Sequence, residues 1–489
     1  SKMSGSLKDQ SIAALIWVFL DKVGSSTVNF IVTIILARLL TPEDFGLVAM
    51  VLIFFELSYS FVESGFSAAL VREKNITEID KSTTFIFNFI SSIILYVLLF
   101  FAAPAIAAFF EEEALTWIVR VMGLNLIINS LAIIQRATLT QQIDFKTQTK
   151  VRFVAVIGSG IVGVIMAFYG FGVWSLVAKI GVMAVMDSLF LWILNPWMPS
   201  WRFSMESFRR LFGFGSKILL SSLIDKFFQH VVNLLIGKFF AAALLGFFTQ
   251  ANNFVNMVKN NLFQTIQKVS YPVLAKLQDD RSKLKEGYRQ IIKLSSFVII
   301  PGMVLLGVLA KPALVALVGE KWLPSAPFVQ LLCVAGVTYH FNAINLNMLL
   351  VLGRSDLTLK LEIVKKAVIV LAIAIGLPYG IYGLVIGQVV SQYIALFINS
   401  YYSDKFLDYS LTEQVLDILP SLIISLLAGG LVLTLSKQMP GAALLILLVG
   451  SAAGSICYLG FHLLARTEEM SIIRTIIIPK TRLLFAKLF

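Results

Sequence analysis

Long apolar runs alternate along the chain with short polar breaks. Runs able to cross about 30 Å of hydrocarbon lie near 11–39, 45–70, 82–109, 114–138, 152–170, 173–196, 209–240, 244–275, 287–318, 325–352, 362–379, 381–402, 415–436 and 440–465. They predict an all-α polytopic membrane protein of about fourteen transmembrane helices. Several breaks are only a few residues long, such as Thr41-Pro42-Glu43-Asp44 and Glu111-Glu112-Glu113. Turns this short place consecutive helices antiparallel.

The polar positions inside the runs are the informative ones. Asp21-Lys22 interrupts the first run and is followed seven and eight positions after the Asp by Val28-Asn29. Asp225-Lys226 interrupts the seventh run and is followed at the same spacing by Val232-Asn233. On a helix, Lys22, Ser26 and Asn29 share one face, as do Lys226, His230 and Asn233. The two motifs are six runs apart, in the first and the seventh. An even number makes the two helices point the same way, so the halves are parallel repeats about an axis along the membrane normal. The likeness continues from Ala37-Arg38 before Phe45-Gly46 to Gly237-Lys238 before Leu245-Gly246. The expected organisation is two pseudo-symmetric six-helix lobes, 1–200 (helices 1–6) and 201–405 (helices 7–12). Two extra helices at 406–465 and a basic amphipathic cytoplasmic tail at 466–489 follow.

Charge inside a membrane helix is costly and marks a functional pathway more often than a structural ion pair. The eighth run is the most polar: Gln250, Asn253, Asn256, Lys259, Asn260, Gln264 and Gln267 recur at helical spacing. Such a stripe forms one wall of a water-filled cavity or, alternatively, a hydrogen-bonded helix interface. Glu56, Ser60 and Glu63 make a shorter polar face in the second run. Runs 1, 2, 7 and 8 are therefore the expected cavity lining. The spacings Gly376/Gly380, Gly383/Gly387 and Gly450/Gly454 suit close helix packing instead.

Composition agrees with this reading. Of 489 residues, 58% are apolar and 14% charged, against roughly a quarter charged in soluble domains. The net charge of +12 is gathered in breaks at 71–81, 136–152, 197–217, 276–293 and 353–366 and in the tail. The alternate breaks hold little beyond Arg38, Lys238, Lys311, Lys321 and Lys437. That bias predicts both termini on the cytoplasmic side and argues against nucleic acid as the partner. Cys333 and Cys457 lie in distant runs, which does not indicate a disulfide framework. The first run is too long and too charged for a cleavable signal peptide. No phosphate-binding loop, metal-ligand spacing or nucleophile elbow occurs, and His230, His340 and His462 fall on different helices. Neither an enzyme nor a cofactor is expected. A channel would need repeated rings of pore residues.

Several stretches carry a family resemblance: Ala37-Arg38-Leu39-Leu40-Thr41-Pro42-Glu43-Asp44-Phe45-Gly46-Leu47, Gly170-Phe171-Gly172-Val173-Trp174-Ser175-Leu176-Val177, 269–280 (VSYPVLAKLQDD), and Gly319-Glu320-Lys321-Trp322 leading to Gln330-Leu331-Leu332-Cys333. The chain resembles Wzx-type polysaccharide flippases of the multidrug/oligosaccharidyl-lipid/polysaccharide exporter superfamily, in the lipopolysaccharide, colanic-acid and teichuronic-acid exporter branch. The likeness runs to about residue 400. It implies a two-lobed bundle with a cavity opening alternately to each side. It also implies an oligosaccharide on a polyprenyl diphosphate as substrate, moved from the inner to the outer leaflet of a bacterial cytoplasmic membrane.

The family's cavity cations are carried over to Lys22, Lys226 and Lys259 as the diphosphate-binding residues. Asn29, His230, Asn233, Asn253, Asn256, Asn260 and Gln264 are the polar lining. Asp21, Glu56, Glu63 and Asp225 form a charge network through which membrane potential, proton or sodium would act. Cross-lobe pairs, Lys22 with Asp225 and Asp21 with Lys226, would offset the desolvation of these charges. Implied partners are the lipid-linked oligosaccharide, membrane lipids and a polysaccharide polymerase or assembly complex. The competing readings are a small-molecule exporter of the same superfamily and a non-transporting scaffold in such a complex.

Overall fold

The structure, a computed structural model, describes residues 17, 24–63, 65–73, 76–277, 279–439 and 441–472. Among the described residues every regular element is helical. In order they are α1 (Ser26–Leu39), α2 (Pro42–Glu63), α3 (Phe66–Arg72), α4 (Glu78–Phe110), α5 (Leu115–Ser130), α6 (Ile133–Gln141), α7 (Phe145–Phe168), α8 (Val173–Leu194) and α9 (Met205–Phe239). There follow α10 (Ala242–Lys276), α11 (Arg281–Val308), α12 (Ala310–Leu317), α13 (Ala326–Val351), α14 (Ser355–Gly376), α15 (Gly380–Leu407), α16 (Leu411–Gln438), α17 (Ala443–Leu464) and α18 (Glu468–Ile472).

Helix starts follow from local chemistry. Thr77 and Asp80 cap α4 reciprocally: the Asp80 N–H donates to Thr77 Oγ1, and the Thr77 N–H to the Asp80 carboxylate. Ser410 and Glu413 do the same for α16. At α2 the pair is Thr41 and Asp44, with Pro42 between them. Each exchange satisfies amide donors that the first turn leaves open. At the start of α11, Asp280 accepts from the side chain and N–H of Lys283, which holds its carboxyl below the usual range.

Ten helical segments among the described residues are long and apolar enough to cross a membrane, or eleven counting the bent pair α5–α6. By this measure the expected count of fourteen is not reached. The reasons are local. α14 and α15 are joined by a single 3-10 turn at Leu377–Tyr379 and count as one 52-residue segment. α10 is too polar to qualify, and the described part of α1 has 14 residues. Apolar side chains such as Ile94, Leu98 and Phe101 on α4 stand exposed, as lipid contact requires.

The chain forms two compact units, residues 1–249 and 250–489. In the first, α7 packs on α8, α4 on α5, and α1 on α7. α9, assigned by sequence to the second lobe, packs here on α2, α3 and α4. The duplicated segment meets itself at the starts of α2 and α10. A Cβ on Gly46 would stand 1.8 Å from the Ala242 carbonyl oxygen, and one on Gly246 would stand 1.8 Å from that of Pro42. The two contacts are reciprocal, each glycine facing the backbone at the start of the other helix. Only glycine lets the two backbones come so close.

In the second unit α11 packs on α13 and α16, α13 and α14 on α15, and α17 on α16 and α12. Gly376 and Gly383 face each other's carbonyls, while Gly450 and Gly454 receive Leu309 and Leu305. Gly380 instead supplies the positive φ of 75° at the α14–α15 turn. An ionic cluster ties α11 to α16 and α18. Arg289 grips Asp417 with two hydrogen bonds of 2.7 Å. Buried Lys293 reaches Asp417 at 3.2 Å and also pairs with Glu468. Tyr409 donates to Asp417 at 2.8 Å.

Candidate functional site

In the first unit, intramembrane charges from four helices converge. Lys226 of α9 donates to Glu56 of α2 at 2.6 Å, with the two side chains 36% and 32% exposed. Both are thus only partly enclosed by protein within a membrane-spanning bundle. Glu63, two turns further along α2, interacts electrostatically with Lys226 and with Arg136 of α6. Arg136 is itself ion-paired to Asp187 of α8 and approaches the Tyr59 hydroxyl at 3.4 Å. His230, one turn from Lys226, lies in the field of Glu56 and Lys226, and its Nδ1 has no hydrogen-bond partner among the described residues. The result is a chain of alternating charge from Asp187 through Arg136, Glu63 and Lys226 to Glu56.

The other expected lining residues are distributed as follows. Asp225 and Asn233 are half-buried on α9. Asn29, exposed on α1, accepts a hydrogen bond of 2.9 Å from Lys179 of α8. Ser60 is turned back on its own helix, bonding the Glu56 carbonyl at 3.0 Å. In the second unit Asn253 donates to buried Gln250 at 3.3 Å, and Asn256 is half-buried. Lys259 stands 4.4 Å from the centre of the Tyr339 ring, a cation held against an aromatic face. Asp21 and Lys22 lie outside the described residues, as do the side chains of Asn260 and Gln264. The expected pairs Asp21–Lys226 and Lys22–Asp225 fall there too, and the partner that Lys226 takes within the described residues is Glu56.

Four members of these clusters escaped the sequence reading. Lys179 and Asp187 are isolated charges in the run 173–196, and the criterion applied to Asp21-Lys22 would have found them. Arg136 closes an apolar run and was absorbed into the count of cytoplasmic basic residues. Tyr59 has no distinguishing signal in sequence. Among the described residues, no three His, Cys, Asp or Glu side chains are grouped to hold a metal ion.

The fold and the buried charges define a multi-pass, all-α membrane protein. Solved structures share the architecture. The lipid II flippase MurJ in an inward closed conformation aligns with a TM-score of 0.76 at 15% identity, covering 93% of this chain and 99% of that one. An inward-facing MATE family multidrug resistance transporter of the MOP superfamily aligns at 0.62 and 17%, covering 81% and 98%. The profile of the family described as "Polysaccharide biosynthesis protein" matches residues 35–327, and the chain belongs to that family.

Among curated relatives, the teichuronic acid biosynthesis protein TuaB of Bacillus subtilis (strain 168) is 27% identical over 299 residues, 60% of this chain and 62% of TuaB. The succinoglycan biosynthesis transport protein ExoT of Rhizobium meliloti (strain 1021) is 23% identical over 319 residues, 65% of each chain. The lipopolysaccharide biosynthesis protein WzxC of Escherichia coli (strain K12) is 22% identical over 373 residues, 76% of each. The matched part of the chain thus spans slightly under two thirds of TuaB and ExoT.

Proposed function

We propose that the protein is a flippase, not an enzyme. In this reading it moves a polyprenyl-diphosphate-linked oligosaccharide from the inner to the outer leaflet of a bacterial inner membrane by alternating access. The observation that carries the reading is the partly exposed ion pair Lys226–Glu56 within the membrane-spanning part of a polysaccharide biosynthesis family member. A sugar–diphosphate headgroup loses its hydration on entering hydrocarbon, at a cost that prevents unaided crossing. Ammonium groups replace water at the phosphates through charge-assisted hydrogen bonds. Lys226 and Lys259 are placed for this in their respective units, with Lys22 as the repeat counterpart of Lys226. Glu56 occupies Lys226 until phosphate competes for it. Substrate entry thereby loosens the α2–α9 contact, which is the differential binding that a two-state transporter needs.

The loop charges support both termini in the cytoplasm. The duplicated motif supports lobes of 1–200 and 201–405, with 406–465 as added helices and 466–489 on the membrane surface. The names of TuaB, ExoT and WzxC support surface-polysaccharide assembly as the setting, with a polymerase or assembly complex as protein partner.

The test is to delete the gene in its host and analyse the lipid-linked glycans. Oligosaccharide on polyprenyl diphosphate should accumulate on the cytoplasmic face and surface polysaccharide should fall, both restored by the wild-type chain and not by Lys226→Ala. An unchanged lipid-linked pool combined with altered drug susceptibility would replace this reading with small-molecule export.

A further inference from the structure

Lys179 stands apart from the charge chain that runs from Asp187 to Glu56. It lies six residues into α8, about 9 Å along the helix axis, in a run whose one other charge is Asp187. Its stem is seated in a notch on α7. Gly163 there has no side chain, and a Cβ on it would stand 3.0 Å from Lys179 Cβ and 3.5 Å from Cγ. From that notch the ammonium reaches α1 and donates to Asn29 Oδ1 at 2.9 Å. A lysine that merely avoids lipid extends along its helix to the interface; this one is directed across the bundle to a neighbouring helix.

Its partner is the anomaly. Arg136 and Lys226 in the same unit each hold a carboxylate. Arg120 lies against the Phe100 and Trp117 rings and bonds the Phe100 carbonyl. Among the described residues, Lys179 has a neutral amide oxygen and no acid. Accepting that bond takes one lone pair of the Asn29 oxygen and leaves the amide hydrogens. What the pair still offers is mainly donors: two ammonium hydrogens and the Asn29 NH2. Thr33 bonds the Asn29 carbonyl at 2.8 Å, within the same helix face. Donors that have no acid beside them among the described residues, with net positive charge, are complementary to an oxyanion.

We propose that Lys179 and Asn29 form an oxyanion-binding position that takes an anionic group of the transported glycolipid. It rests on the flippase reading and adds a position that the Lys22, Lys226 and Lys259 assignment does not contain. With the termini in the cytoplasm, α8 runs inward from Val173 and α1 outward to Leu39. Lys179 then lies in the outer half of the bilayer. It would engage the anion late in the crossing, after the level of Lys226.

The experiment uses the full chain in lipid nanodiscs and measures binding of polyprenyl diphosphate, the neutral polyprenol and a free uronic-acid-containing oligosaccharide. Lys179→Met keeps the stem in the Gly163 notch and removes the charge; Lys179→Arg keeps the charge. Loss of one charge-assisted contact weakens binding about 10- to 100-fold. Lys179→Met should show that loss for an anionic ligand, leave polyprenol unchanged and melt no lower than wild type, while Lys179→Arg recovers part of the affinity. A loss confined to polyprenyl diphosphate assigns the anion to the lipid phosphates, and a loss confined to the oligosaccharide assigns it to a sugar carboxylate. If wild type binds polyprenyl diphosphate and Lys179→Met binds both anionic ligands equally well, the proposal is wrong and the flippase reading stands. Equal loss of polyprenol binding, or a lowered melting midpoint, makes Lys179 a packing residue and also overturns the proposal. If wild type prefers neither anionic ligand to polyprenol, the flippase reading itself fails.

Discussion

The Gly46–Ala242 and Gly246–Pro42 contacts allow a prediction whose sign separates two effects. Alanine is the better helix former by about 1 kcal/mol, so Gly46→Ala on propensity alone would stabilise α2. The structure places the new Cβ 1.8 Å from the Ala242 carbonyl oxygen and 2.6 Å from its carbon. Both are backbone atoms and cannot rotate away. The starts of α2 and α10 must separate by about 1.5 Å to reach ordinary contact, and overpacking of this kind costs about 1–3 kcal/mol. Gly246→Ala should cost the same, since its Cβ would meet Pro42 at the same distance.

The double variant should cost little more than either single one, because one separation relieves both clashes. Thermal melting of the purified protein reads the stability. Labelling of Met50→Cys, on a background with Cys333 and Cys457 replaced, reads the opening, since Met50 is 1% exposed and packs on Gly237. A penalty of this size changes populations about 5- to 150-fold, and the labelling rate should rise at least fivefold. Higher melting of Gly46→Ala, or a double variant whose cost is the sum of the singles, would refute the shared contact.

Three further outcomes are expected. Single cysteines at Lys81, Lys146 and Lys285 should label only from the cytoplasm and those at Glu112 and Lys321 only from outside; external labelling at position 285 would reverse the topology. Glu56→Gln and Lys226→Met should each impair transport, with a coupling energy of only about 1 kcal/mol in a double-mutant stability cycle because both groups are partly exposed; a coupling near zero would mean that the pair is not formed. Asp417→Asn leaves buried Lys293 and Arg289 without their shared carboxylate. It should destabilise the second unit by about 2–3 kcal/mol, seen as a lower melting midpoint, and an unchanged midpoint would show that the cluster contributes nothing.

Period and composition alone determined that this chain is a helical membrane protein, because hydrocarbon leaves a backbone no other way to satisfy its hydrogen bonds within one segment. The duplication was legible for a related reason. Asp21-Lys22 and Asp225-Lys226 are costly in apolar runs and so stand out from the residues around them. Pairing was not legible. Spacing put Lys226, His230 and Asn233 on one face of α9, yet the rotation of α9 against α2 is set by side-chain packing along both helices, and that choice brought Glu56 to Lys226. The same holds for Arg136, which reads as a loop charge until α6 bends away from α5 by 43° and carries it to Asp187. It holds equally for Lys179, whose importance depends on a notch at Gly163 that only the packing of α7 on α8 creates. Sequence determines which charges enter the membrane, since that follows from local hydropathy; tertiary structure decides which of them are neutralised and which stay open to a ligand, since that depends on contacts between residues far apart in the chain.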